Sequence, residues 1–66
     1  AKIQLNGSPY EINTDSNLSE LLNKLKIQKN KIAIELNGTI IEKKKYQKVI
    51  LNKGDKVEIV HFIGGG

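Results

Sequence analysis

The sequence predicts an α+β domain in which one main helix packs on a mixed sheet of four to five strands. Three observations support this prediction. Short segments of alternating polar and apolar residues indicate strands, two Asn-Gly pairs indicate tight turns, and one leucine stripe at helical spacing indicates a single helix. The segments follow the order β-β-α-β-β-β, with no internal repeat and no linker between them.

The first fifteen residues predict a β-hairpin. Residues 2–6 alternate between polar and apolar side chains, which is the period of a half-buried strand. Asn6 and Gly7 predict the turn, because both residue types tolerate a positive φ. We expect residues 8–9 to continue this turn and residues 10–12 to form the second strand.

The helix is predicted to begin at Asn17, because Asn17 and Glu20 have the spacing of a capping box. Four leucines then follow at i, i+3, i+4 and i+7, namely Leu18, Leu21, Leu22 and Leu25. We interpret this stripe as core packing, because one face of the predicted sheet has to be covered by another element.

The remaining strands lie in the second half of the chain. Residues 32–36 predict a third strand whose alternate apolar side chains share one face. A second Asn-Gly turn at residues 37–38 leads to a short strand at residues 39–42. Residues 43–48 have no clean period and predict a helical turn or a loop. Residues 56–63 predict the last strand.

Composition excludes several classes of function. The 66 residues include one histidine and no cysteine, so a structural zinc site lacks ligands. A domain of this size has little room for a catalytic pocket of about 300 Å³. The sequence contains no phosphate-binding loop of the G-x-x-x-x-G-K-[ST] type, so we expect no bound cofactor.

The net charge of +4 comes with eleven basic side chains, and all of them are lysine. Proteins that bind nucleic acids favour arginine for bidentate contacts with bases. We therefore interpret the lysines as a solvated surface and expect no nucleic-acid partner. No apolar run approaches the roughly 20 residues that cross a membrane. The sequence also shows no secretory signal, and we therefore expect a cytoplasmic protein without a membrane partner.

The last predicted strand exposes apolar side chains. If Val57 and Ile59 face the helix, Val60 and Phe62 face away from it, together with Ala33 of the third strand. These residues predict a modest apolar patch suited to a protein partner. Scattered apolar residues on a surface, or a sheet face shielded by other residues, remain the alternative interpretation.

The sequence ends in Gly64, Gly65 and Gly66. Glycines without side chains do not pack, so we expect residues 64–66 to be a flexible tail and residues 1–63 to be a single domain. An extended tail of three residues reaches about 10 Å and fits a slot too narrow for other residues. Its carboxylate, once activated by ATP as an acyl-adenylate, would accept a sulfur or nitrogen nucleophile.

These features together resemble the ubiquitin-like β-grasp proteins. More closely, residues 33–38, residues 54–60 and residues 62–66 are similar to the ThiS family of sulfur carriers, and the similarity spans the whole chain. The segments carry an Asn-Gly turn, a Gly-Asp turn and a Gly-Gly end, in the order that this family shows.

The resemblance implies a function in thiamin biosynthesis. A ThiF-like enzyme would use ATP to adenylate Gly66, and a sulfur donor system would convert the adenylate to a thiocarboxylate. A ThiG-like thiazole synthase would then receive the sulfur. The chain would be a co-substrate rather than an enzyme. Gly64 and Gly65 would enter the partner's slot, and Val60 and Phe62 would lie at the partner interface.

Other functions stay open at this point. A MoaD-like carrier for molybdopterin synthesis and a protein-modifying tag would share the fold and the tail, whereas a plain interaction module would not need the tail. His61 lacks a nucleophile at a suggestive spacing, so we interpret it as a packing or rim residue. We interpret Tyr10 and Tyr46 as sheet and loop packing.

Overall fold

One α-helix and a five-stranded mixed sheet make up residues 1–62, which are the residues that the computed structural model describes. The elements are β1 (Lys2–Leu5), β2 (Ser8–Glu11), α1 (Leu18–Leu25), β3 (Ile32–Leu36), β4 (Thr39–Ile41) and β5 (Lys56–His61). Lys29–Lys31 and Lys43–Lys45 form short 3₁₀ turns. The predicted α+β class with one main helix is confirmed.

The strand order across the sheet is β2-β1-β5-β3-β4. Strands β1 and β5 are parallel, and every other neighbouring pair is antiparallel. The first and last strands of the chain therefore lie side by side, with β2 on one side of them and the β3–β4 hairpin on the other.

One predicted boundary is wrong at the first hairpin, and another is wrong at the end of the last strand. Strand β2 begins at Ser8, so the turn contains only Asn6 and Gly7, whose φ angles are 49° and 83°. Pro9 fits within β2 because this strand is an edge strand, where a missing N–H costs no ladder hydrogen bond. Strand β5 ends at His61 rather than at residue 63, which lies outside the described residues.

The predicted helix start is confirmed in detail. The Asn17 side chain accepts a hydrogen bond from the Glu20 backbone N–H at 2.8 Å, and the Glu20 carboxylate accepts one from the Asn17 N–H at 2.9 Å. This capping box satisfies two donors that a helix start otherwise leaves free. The leucine stripe faces the sheet, and Leu18, Leu21 and Leu22 are buried.

The core lies between α1 and one face of the sheet. Its buried residues are Ile3, Ile12, Leu18, Leu21, Leu22, Ile32, Ile34, Tyr46, Leu51, Val57 and Ile59. Every one of them is apolar or aromatic, and among residues 1–62 no charged side chain is buried. No helix in this part of the chain is long and apolar enough to cross a membrane.

Tyr46 is the largest of the fully buried side chains, although it comes from the connection between β4 and β5. Its hydroxyl group makes no hydrogen bond to another group in the described part of the chain. Burial raises the pKa of Tyr46, and the nearby backbone of Ile34 offsets this effect only in part. The predicted loop packing is confirmed, and the side chain extends into the centre of the core.

The buried hydroxyl leads to a prediction for Tyr46→Phe. At pH 7 we expect the free energy of unfolding to change by less than about 1 kcal/mol, because the lost hydroxyl has no partner. Above about pH 10 the unfolded wild type ionises this tyrosine while the folded state keeps the proton, so wild-type stability falls as pH rises. The variant should lack that part of the decline.

Urea unfolding of both proteins from neutral to alkaline pH measures this difference. The two proteins differ in no other ionisable group, so the difference between their pH profiles reports Tyr46 alone. Wild-type and variant stabilities that fall in parallel above about pH 10 would contradict the prediction.

Candidate functional site

The sheet face opposite α1, here called the outer face, carries the residues that were predicted to bind a partner. Residues paired across neighbouring strands point to the same face, and Ala33 of β3 pairs with Val60 of β5. Val60 is 56% exposed and Phe62 is 49% exposed, whereas Ala33 is half-buried. The structure therefore brings these three residues together at the end of β5, as the alternating pattern predicted.

Phe62 directly follows β5 and is tied to the body of the protein. Its backbone N–H donates to the Lys31 carbonyl oxygen at 2.9 Å. The Lys43 ammonium nitrogen lies 5.4 Å from the centre of the Phe62 ring, which is a cation–π geometry. Lys43 thus belongs to this site. Sequence patterns gave no signal for it, because the contact joins residues that are far apart in the chain.

Two carboxylates lie side by side on the same face. Glu35 of β3 pairs with Glu58 of β5, and Ile40 of β4, which is 69% exposed, lies on the other side of Glu35. Like charges directly opposite each other destabilise a sheet. Within residues 1–62 neither carboxylate has a lysine ammonium within ion-pair distance. The outer face is therefore apolar at one end and acidic in the middle.

The remaining residues singled out from the sequence lie at the end of β5 or beyond it. His61 is exposed at the end of β5, opposite Ile32, which fits the predicted rim position. Residues 1–62 contain no group of three or more acidic or histidine side chains that could hold a metal ion. The predicted tail residues Gly64, Gly65 and Gly66 lie outside the described residues, and they follow Phe62 by two to four positions.

A single helix on a mixed sheet, with an apolar patch beside the start of a glycine sequence, defines a small ubiquitin-like β-grasp protein. The model of the ThiS family matches residues 3–66, and the chain belongs to this family. The match includes the glycine residues and both Asn-Gly turns.

Individual relatives agree with the family match. The chain is 37% identical to the sulfur carrier protein ThiS of Bacillus subtilis, over 97% of this chain and 98% of that protein. It also superposes on the crystal structure of the thiamine biosynthesis protein ThiS from Geobacter metallireducens with a TM-score of 0.87, at 33% identity and full coverage of both chains. The β-grasp fold is therefore shown.

A third relative is a longer protein. The chain is 40% identical to the thiazole synthase of Magnetococcus marinus over 98% of its own length. It spans only 20% of that protein's length, so the similarity concerns one part of the longer polypeptide.

The paired carboxylates lead to a prediction for stability. In Glu58→Gln the repulsion with Glu35 is removed, so we expect the free energy of unfolding to rise by about 0.5 kcal/mol at low salt. The gain should shrink as salt is added, because salt screens exposed charges. Chemical denaturation at two ionic strengths measures both effects.

A matched control is Glu42→Gln, which removes the same charge where it contacts Lys44 at 3.8 Å and Lys45 at 3.5 Å. This variant should gain no stability, since exposed ion pairs contribute little or slightly favourably. An equal gain in both variants, or a loss in Glu58→Gln, would show that the two carboxylates do not repel each other measurably.

Proposed function

We propose that the chain is a sulfur carrier of thiamin biosynthesis and that the carboxyl group of Gly66 carries the sulfur. One observation chiefly supports this proposal: the ThiS family match extends through Gly66. The similarity to the Bacillus subtilis protein of nearly equal length, whose name is sulfur carrier protein ThiS, points the same way.

The chemistry begins with an unreactive group. A glycine α-carboxylate has a reference pKa of about 3.5 and is ionised at neutral pH, which makes it a poor electrophile. In the proposed first step a Gly66 carboxylate oxygen attacks the α-phosphorus of ATP. A new C–O–P linkage forms, the bond to the β-phosphate breaks, and pyrophosphate leaves.

The second step places sulfur on the carboxyl carbon. A hydrosulfide equivalent from a sulfur donor system attacks the acyl carbon of the adenylate. AMP leaves, a proton is released, and the thiocarboxylate remains on Gly66. This exchange is neither an oxidation nor a reduction.

We assign the catalysis of both steps to partner proteins. A ThiF-like adenylating enzyme would bind and orient ATP, since these 66 residues contain no glycine-rich phosphate loop. The chain would act as a protein co-substrate. Because the first step consumes ATP, we also propose a cytoplasmic location.

In this proposal the two parts of the chain have separate tasks. Residues 1–63 form the body that docks through Val60, Phe62 and Ala33. Residues 64–66 form an arm that extends about 10 Å into the partner. Glycine suits this arm because a residue without a side chain fits a narrower channel than any other residue does.

The sulfur acceptor would be a ThiG-like thiazole synthase. A region similar to this whole chain occupies 20% of a protein named thiazole synthase. Joining two partners in one polypeptide raises their effective concentration, which favours a direct encounter between carrier and synthase. The similarity to one region of a thiazole synthase therefore supports a carrier for thiazole formation over a MoaD-like carrier or a modifying tag.

The test of the proposal is the intact mass of the chain after incubation with a ThiF-like enzyme, ATP and a sulfur donor. We expect one oxygen to be replaced by one sulfur in the wild type and no change when Gly66 is deleted. The deletion should leave the melting temperature unchanged, because the described core includes no residue beyond Ile59.

Three results would count against the proposal. Stable conjugates to other proteins would instead indicate a modifying tag. Sulfur transfer to a molybdopterin precursor, but not to a thiazole synthase, would indicate a MoaD-like carrier. An unchanged wild-type mass without ATP turnover would exclude the thiamin carrier, the MoaD-like carrier and the modifying tag.

The docking surface leads to a separate prediction for Phe62→Asp. A carboxylate in place of the exposed ring should weaken binding to the adenylating enzyme by about tenfold, because apolar contact is lost and a charge is desolvated. The matched control is Ile50→Asp. Ile50 is 43% exposed and pairs with Asn17 at the start of α1, away from the outer face.

Calorimetric titration of each variant with the enzyme measures this effect, and thermal melts show whether both variants are folded. Equal affinity for wild type and Phe62→Asp would contradict the role of the outer face. An equal loss in both variants would point to a general effect of added charge.

A further inference from the structure

The side chain of Asn6 bonds to strand β5 across 53 positions of sequence. Asn6 is the first residue after β1, and its φ of 49° lies in the left-handed region. Its side-chain oxygen accepts a hydrogen bond from the Ile59 backbone N–H at 2.7 Å. Its side-chain nitrogen donates to the Ile59 carbonyl oxygen at 3.4 Å.

These bonds continue the parallel ladder beyond the end of β1. The Gln4 N–H donates to the Asp55 carbonyl and the Asn6 N–H donates to the Val57 carbonyl, both at 2.9 Å. The next carbonyl in this series belongs to Ile59, two residues further along β5. The chain turns at Asn6, so the side-chain amide of Asn6 takes the place of the next β1 peptide group.

The contact with Ile59 lies just before the functional end of the chain. Val60 and Phe62 of the docking surface are the next residues with outward-facing side chains, and the glycines at positions 64–66 begin two positions after Phe62. On the β3 side, β5 is paired up to His61 and Phe62 bonds to Lys31. On the β1 side, the Asn6 side chain makes the bonds beyond Val57.

We propose that Asn6 is a positioning residue for the activation of Gly66. It holds the end of β5 from the β1 side, as β3 does from the other, and so fixes the point on the body from which the glycine arm extends into the adenylating enzyme. This inference rests on the proposed function. Small displacements of a reacting group lower the rate of a step far more than they lower binding.

The chain contains an internal control at Asn37. It also follows a strand, precedes a glycine and has a positive φ, of 52°. Its N–H donates to the Lys56 carbonyl at 2.8 Å, and its side-chain oxygen accepts from the Lys56 N–H at 2.9 Å. Asn37 therefore makes the same kind of contact with the β5 backbone at the opposite end of the strand, away from the glycine arm. Its side-chain nitrogen donates to the Asp55 carboxylate at 3.1 Å.

The experiment compares Asn6→Gly with Asn37→Gly in the full chain. Glycine accepts the positive φ at both positions, so each variant loses only the side-chain contacts. The rate of pyrophosphate release by a ThiF-like enzyme is measured with saturating ATP and varied carrier concentration. Thermal melts and exchange of the Ile59 amide hydrogen are recorded alongside.

We expect both variants to melt at a lower temperature than the wild type. Only Asn6→Gly should lower kcat, by about tenfold, with KM within about twofold because the outer face is unchanged. The Ile59 amide should lose its protection in this variant alone. Asn6→Asp keeps the acceptor oxygen for the Ile59 N–H, so its kcat should lie between those of the wild type and Asn6→Gly.

Equal kcat values for Asn6→Gly and the wild type, or an equal loss in Asn37→Gly, would overturn the positioning role. Should Asn6→Gly melt below the assay temperature, Asn6→Asp is compared with Asn37→Asp. Each keeps an acceptor and loses a donor, and Asn37→Asp also places a carboxylate beside Asp55, which makes it the more demanding control. A lower kcat in Asn6→Asp alone supports the proposal, and equal kcat values in Asn6→Asp and Asn37→Asp refute it. Absence of turnover with the wild type would instead refute the proposed function.

Discussion

Strand β5 is the element on which the rest of this structure depends, because it has to be bonded along both edges by strands from distant parts of the chain. The parallel pairing with β1 joins the two ends of the sequence, and the antiparallel pairing with β3 joins β5 to the second hairpin. Its inward side chains Val57 and Ile59 are buried against the helix side of the sheet. With no cysteine in the sequence, these noncovalent contacts hold the fold together.

Local signals made much of this fold predictable. The capping box and the leucine spacing act within one or two helical turns, and the Asn-Gly turns need only two residues, so each could be recognised without tertiary information. The alternation in β5 also placed Val60 and Phe62 on the outer face. The glycines alone indicated a narrow arm with a carboxylate that can be activated, whereas the assignment to sulfur transfer came from the family resemblance, and Gly66 lies outside the described residues.

Long-range contacts explain what sequence patterns missed. Tyr46 lies in a segment without a period, and its burial depends on the space that α1 and the sheet leave between them. The contact of Lys43 with Phe62 and the pairing of Glu35 with Glu58 depend on sheet register. Asn6 was recognised as a turn former, but its side-chain bonds to Ile59 become visible only when β1 and β5 are adjacent.

The outer face shows features that stability alone does not favour. Exposed Val60 and Phe62 leave apolar area in water, and the carboxylates of Glu35 and Glu58 oppose each other. A surface that binds a partner accounts for both, because docking removes the apolar area from water and can supply an opposite charge. Under the proposed function these 66 residues contain no thiol, so the sulfur has to be bound to a main-chain carboxyl group. The body would then contribute to the chemistry by docking and by fixing the point from which that group extends, and the hydrogen bonds at the end of β5 would serve the second task.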